Sequence, residues 1–161
     1  MANRFSKAVA KIYTFPVFTQ SFLLTKLFCT MVKYANTSGV KIIAVSQRQT
    51  HLTLKNRKKV QNHIGGVHAI AASLLAESAT GIVFGMNVPD SHIPLLKSMT
   101  VNYTRRMQGD LSAVATLTDE QVTLIQSQDK GDVIVSVKIT DESGLEPIDC
   151  EMHWAWVNKK R

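Results

Sequence analysis

The chain has 161 residues, 45% of them apolar, a formal net charge of +7 and two cysteines. A chain of this length buries about two-thirds of its unfolded surface, so it folds as one domain without a disulfide framework or structural metal. The wide separation of Cys29 and Cys150 excludes a secreted disulfide scaffold and a zinc ribbon and points to a reduced, cytoplasmic setting.

Two helices are predicted first, over residues 3–14 and 17–35, the second from Phe18, Phe22, Leu23, Leu27, Met31 and Tyr34 at helical spacing. Within them the uncharged run from Ile12 to Thr25, preceded by Lys7 and Lys11, superficially resembles a signal peptide. Its fourteen residues fall short of the roughly twenty that span a bilayer, Pro16 interrupts it, and Lys26 follows where a small-residue cleavage site belongs. A packed helix pair is therefore expected ahead of an interfacial anchor or a cleaved leader, with no stable membrane insertion.

Val40 to Ser46 and Leu52 to Leu54 read as strands, and the stretch from Asn56 to Asn62 as a basic connection. After Gly65 and Gly66, a helix from Val67 to about Ala79 is apolar on nearly every side, which predicts burial on every side, inside a sheet. After Gly81 the pattern changes to alternation, and strands are predicted over Ile82–Val88, Lys97–Arg106, Leu111–Leu117, Val133–Ile139 and Ile148–Val157. A short helical turn is expected to begin at Thr118. The fold class is α+β: an antiparallel sheet wrapped around one central helix, with extra N-terminal helices. A single domain over 1–161 is expected, with an extension at 1–35 and a core at 40–158.

The charges divide by position. Residues 1–76 carry eleven Lys/Arg and no acid, whereas residues 77–161 carry eight Lys/Arg and all twelve acids. A field of this kind attracts anions, whether nucleic acid, lipid head groups or a phosphorylated cofactor. The first acid of the chain, Glu77, falls among Leu74, Leu75, Ala76 and Ala79, where a carboxylate is costly to desolvate. The remaining histidines, His51, His63, His92 and His153, show no metal-ligand spacing.

Asn62, His68 and Glu77, with a glycine pair before the helix and nine residues from His68 to Glu77, resemble the motif of the hot-dog fold thioesterases. The likeness is to the phenylacetyl-CoA thioesterase-like branch, and within it to a bacterial subfamily carrying Asn-His-x-Gly-x-Val-His-Ala and a Glu. It covers roughly residues 20 to 158. The branch has glycines where Ala69 and Ile70 stand here. The resemblance implies a hot-dog fold and an acyl-CoA thioesterase that needs no cofactor beyond the coenzyme A of its substrate. It further implies Ser98 as an aid to the carboxylate, and a site shared across a homodimer.

Physical chemistry agrees with such a site. Thioester hydrolysis needs donors at the developing oxyanion, here the backbone N–H groups of His68 and Ala69 at a helix start, and a base or nucleophile, here Glu77. Asn62 is placed to orient water or the carboxylate. His68 and Glu77 project to opposite faces of an ideal helix and lie about 13 Å apart along it, so two antiparallel copies are needed to build one site. Arg57, Lys58, Lys59, Arg105 and Arg106 are candidates for the phosphates of coenzyme A. The competing readings are a non-catalytic acyl-CoA or acyl-carrier binding module and a nucleic-acid or membrane-surface protein. No nucleic-acid partner is expected, since the basic residues form no reading motif. A tetramer of two dimers remains open.

Overall fold

The computed structural model describes residues 3–159. Asn3 opens α1 (Arg4–Ile12): its Oδ1 accepts the Ser6 N–H at 2.7 Å, satisfying one of the donors that every helix start leaves over. The sequence predicts one helix over 17–35, but the chain forms two, α2 (Val17–Met31) and α3 (Lys33–Ser38). The break is at Val32, whose φ of −109° and ψ of 85° are not helical. The turn brings Ala35 into the core and sets α3 against the central helix.

That central helix, α4, runs from Ala69 to Gly85 and so contains Gly81. The strand expected at Ile82–Val88 does not exist: Ile82, Val83 and Phe84 are core residues of the last helical turns. Gly81 does not end the helix. A Cβ there would lie 2.9 Å from the Trp154 ring, so the glycine admits a tryptophan against the helix backbone. The same ring donates from Nε1 to Thr80 Oγ1 at 2.9 Å and lies with its centroid 5.6 Å from that of Phe84.

Six strands, β1 (Lys41–Val45), β2 (Gln49–Leu54), β3 (His92–Tyr103), β4 (Leu111–Thr116), β5 (Gly131–Asp141) and β6 (Ile148–Asn158), form an antiparallel sheet in the order β1-β2-β4-β5-β6-β3. The sheet wraps α4, the arrangement of the hot-dog fold. In β6, Met152, Trp154 and Trp156 are buried while the residues between them point outward, as the alternation predicts. β3 begins five residues before the predicted strand, at His92 instead of Lys97, and includes Pro94. Pro94 is tolerated because β3 is an edge strand, where a missing N–H costs no ladder bond. Thr118 and Gln121 form a reciprocal capping box that starts α5 (Asp119–Ser127), longer than the single turn expected.

The two sheet edges differ. β1 is covered by the N-terminal helices: Thr25 Oγ1 accepts the Ile42 N–H at 2.9 Å, Ser21 donates to the Ile42 carbonyl, and Tyr13 Oη pairs with both backbone groups of Val45 at 2.8 Å. These side chains occupy the backbone groups that would otherwise recruit another strand. β3 has no such cover among the described residues, and Ile93, Leu95 and Met99 along it are exposed.

Candidate active site

The start of α4 is set by the loop before it. Asn62 Oδ1 accepts the N–H groups of Ile64 and Gly66 at 3.0 and 3.1 Å, and Gly65 turns with φ +78°, a conformation that suits glycine. Asn62 Nδ2 makes only a long 3.5 Å contact with the Val67 carbonyl. The sequence offers the His68 N–H as an oxyanion donor, but it donates to the Val60 carbonyl at 2.7 Å. His68 is the N-cap of α4: its Nδ1 accepts the Ile70 N–H at 3.1 Å, which leaves the proton of a neutral ring on Nε2, free to donate. Ala71 N–H bonds to the His68 carbonyl. Among the described residues, the Ala69 N–H is therefore the one amide of this first turn without an acceptor.

Tyr103, which the sequence does not single out, holds this turn against the end of β3. Its hydroxyl donates to the Ala69 carbonyl at 2.9 Å and lies 2.7 Å from Ser73 Oγ, which also bonds that carbonyl. His68 lines a cleft of about 330 Å³ with Tyr34, Ser38, Lys59, Ile70 and Leu74.

Glu77 lies on α4 beyond Ile70 and Leu74, on the side that faces α2 and α3. It is half-buried, and desolvation pushes its pKa up from the ordinary 4.5, with the Ser78 hydroxyl opposing the shift. Two apolar grooves meet at it. One, of about 350 Å³, is lined by Val32, Leu74, Leu96 and Met99. The other, of about 290 Å³, runs between α4 and the N-terminal helices past Phe28, Met31, Val32, Ile82 and Trp154 to Gly85.

The expectation that His68 and Glu77 occupy opposite faces is corrected. His68 is a cap outside the helix, so the ideal wheel does not apply to it, and its cleft shares Ile70 and Leu74 with the Glu77 groove. Nine residues at about 1.5 Å each still put about 13 Å between the two positions along the helix axis.

Ser98 is not beside Glu77 in the same chain. A bulge between Leu96 and Ser98 places Ser98 opposite His153, on the face turned away from α4, where His153 and Lys97 meet Asp132. The basic candidates scatter. Lys59 lines the His68 cleft, and Lys58 is exposed beside it. Arg57 leans toward the Ser38 and Gly39 carbonyls that end α3. Arg105 is held at 2.8 Å by Asp141, a buried carboxylate kept below its usual range by bonds to Ser143, the Gln108 amide and Arg105, against its burial. Arg106 donates to the Ile64 carbonyl at 3.2 Å, at the rim of the Asn62 loop. No cluster of three or more His, Cys, Asp or Glu positioned to hold a metal occurs among the described residues. Burial and the Asp149 charge push the Cys150 thiol up to about 11, too high to supply a thiolate nucleophile at neutral pH.

A six-stranded antiparallel sheet around one helix defines a hot-dog fold protein, and the comparisons agree. The chain belongs to the family described as a domain of unknown function, DUF4442, whose model matches residues 21–157. Comparison with curated proteins gives no match. Among solved structures, a Pseudomonas aeruginosa protein of unknown function described as a probable thioesterase superposes with a TM-score of 0.75 at 22% identity, over 83% of this chain and 92% of that one. A Haemophilus influenzae thioesterase gives 0.68 at 14% identity, covering 89% and 92% of the two chains. A mutant thioesterase from Pseudomonas aeruginosa gives 0.69 at 15%, covering 84% and 94%. At these identities the likeness establishes the fold.

Proposed function

We propose that this protein hydrolyses acyl-CoA thioesters as a homodimer. The observation that carries the reading is the Ala69 N–H at the capped start of α4, a donor without an acceptor among the described residues and with the positive end of the helix behind it. The names of the structural relatives support thioester chemistry. In this reading the thioester oxygen sits on the Ala69 N–H, assisted by His68 Nε2–H. Glu77 of the partner copy takes a proton from water, whose oxygen adds to the carbonyl carbon. The tetrahedral intermediate then collapses, the C–S bond breaks, and the thiolate leaves with a proton returned by the carboxyl. Asn62, with Oδ1 committed to its loop, directs Nδ2 at the attacking water.

The dimer joins through the uncovered β3 edge, and the acyl chain follows the apolar groove beyond Glu77, which the N-terminal helices wall. Lys59 and Arg106, flanking the helix start, meet the phosphates of coenzyme A. Ser98 lies away from Glu77 of its own chain, so any help it gives comes across the dimer. The protein works in the cytoplasm. The second reading, a binding module without turnover, rests on Ala69 and Ile70 standing where the resembling branch has glycines. The deciding experiment is thiol release from a panel of acyl-CoAs by the purified protein, with Glu77→Ala as control. Turnover lost in Glu77→Ala supports the hydrolase, and binding without turnover in the unaltered chain supports the module.

A further inference from the structure

We propose that the α1–α2 hairpin is a docking surface for an anionic lipid bilayer. α2 is apolar on two sides and the protein covers only one of them. Leu24 and Phe28 are buried against the core, whereas Phe18 and Phe22, one turn apart on the other side, are 87% and 66% exposed. Val17, 81% exposed, and Phe15 extend this patch around the turn between the helices. Water is a poor neighbour for so many contiguous apolar side chains, and a patch of this kind marks a place where something else takes water's place. Next to it, a groove of about 390 Å³ between the helices has a floor of Ala8, Ile12, Leu23 and Leu27 and a rim that includes Lys11 and Lys26.

Charge selects the occupant. No acid occurs before Glu77, so neither helix carries a group that repels an anion. A second copy docked through this face would bring the lysines of both hairpins into one interface with no acid on either to pair them, which opposes self-association. A bilayer with anionic head groups offers both partners at once: phosphates for the two ammonium groups and an acyl boundary for the three phenylalanines. Interfacial docking fits the lengths as well. α2 has 15 residues, and among the described residues no helix is long and apolar enough to cross a membrane. α1 is fastened to the body at both ends, by Asn3 Nδ2 on the Gly85 and Val88 carbonyls and by Tyr13 on Val45, which fixes the start of the turn into α2. This inference does not depend on the hydrolase reading.

The test is co-sedimentation of the full chain with vesicles of phosphatidylcholine alone and of phosphatidylcholine mixed with phosphatidylglycerol. The chain is expected to pellet with the anionic vesicles and to lose at least about tenfold in partition between low and high salt. Phe18→Ser with Phe22→Ser, both exposed and so without cost to the core, is expected to lower partition at least about tenfold. Lys11→Gln with Lys26→Gln is expected to abolish the preference for phosphatidylglycerol. The proposal is overturned if the chain stays in the supernatant with anionic vesicles at low salt, or if the phenylalanine pair leaves partition unchanged. It is also overturned if that pair changes the sedimentation mass without vesicles, which would make the face an interface between copies.

Discussion

The His68 N–H donates to the Val60 carbonyl at 2.7 Å, and this one bond decides which amide of α4 is left to a ligand. With Ile70 bonded to the His68 ring and Ala71 to the His68 carbonyl, only Ala69 remains in that turn among the described residues.

Ala69→Pro therefore removes the donor without removing a bond. Proline suits the first helical position, and His68, at φ −65° and ψ 141°, already has the extended backbone that a following proline demands. Thermal stability is expected to be unchanged or slightly higher, while kcat falls at least about a hundredfold. Full activity in a folded Ala69→Pro protein removes this amide from the mechanism.

Glu77→Gln is expected to lower kcat by roughly a hundred- to ten-thousandfold. Because burial raises the pKa of Glu77, the proposed hydrolysis by the unaltered protein should speed up with pH through a midpoint above the ordinary 4.5. The same shift has the opposite sign for stability. The folded state holds the proton more tightly than the unfolded one, so the contribution of Glu77 is full below 4.5 and lost as pH rises through the raised pKa. Glu77→Gln should accordingly melt higher than the parent at neutral pH. A rate profile with its midpoint at or below 4.5 contradicts this assignment.

A shared site can be tested by mixing. Refolding equal amounts of Glu77→Ala and Ala69→Pro chains together gives heterodimers in half of the assemblies, each with one intact site. About a quarter of the parent activity should return from two inactive proteins. No recovery, with dimers demonstrated by sedimentation, would mean that both groups act within one chain.

The far end of the groove that runs from Glu77 past Ile82 is open at Gly85, where a Cβ would meet no atom within 4 Å. Gly85→Leu fills that space and also improves the helix. Hydrolysis of long acyl-CoAs should weaken at least about tenfold in kcat/KM through loss of apolar burial, with short ones unaffected. A uniform change across chain lengths would argue against this route for the acyl chain.

Much of this architecture can be read from residue order, since the alternation of β6 and the apolar run of α4 follow directly from burial. The sequence misplaces the second half of α4 because Gly81 looks like a breaker, and its actual partner, Trp154, comes from a distant strand. Gly81→Ala should cost about 1–3 kcal/mol for that reason, measured by denaturant unfolding. Glu77 stands out in the sequence as an acid in an apolar run. Which N–H is free at the helix start depends on the Val60 carbonyl, and whether Arg105 is available depends on Asp141. Both are tertiary facts with no local signature.

The bulge at Lys97 reaches further than its size implies. β3 makes one extra step there, so Leu96 and Met99, three apart, both line grooves along α4, and Tyr103 ends on the helix side of the sheet. Were Lys97 paired in strict alternation instead of bulged out, every later side chain of the strand would swing to the opposite surface. Tyr103 would then leave the Ala69 carbonyl, so the aim of a helix start earlier in the chain is set by a single surplus amino acid in an edge strand.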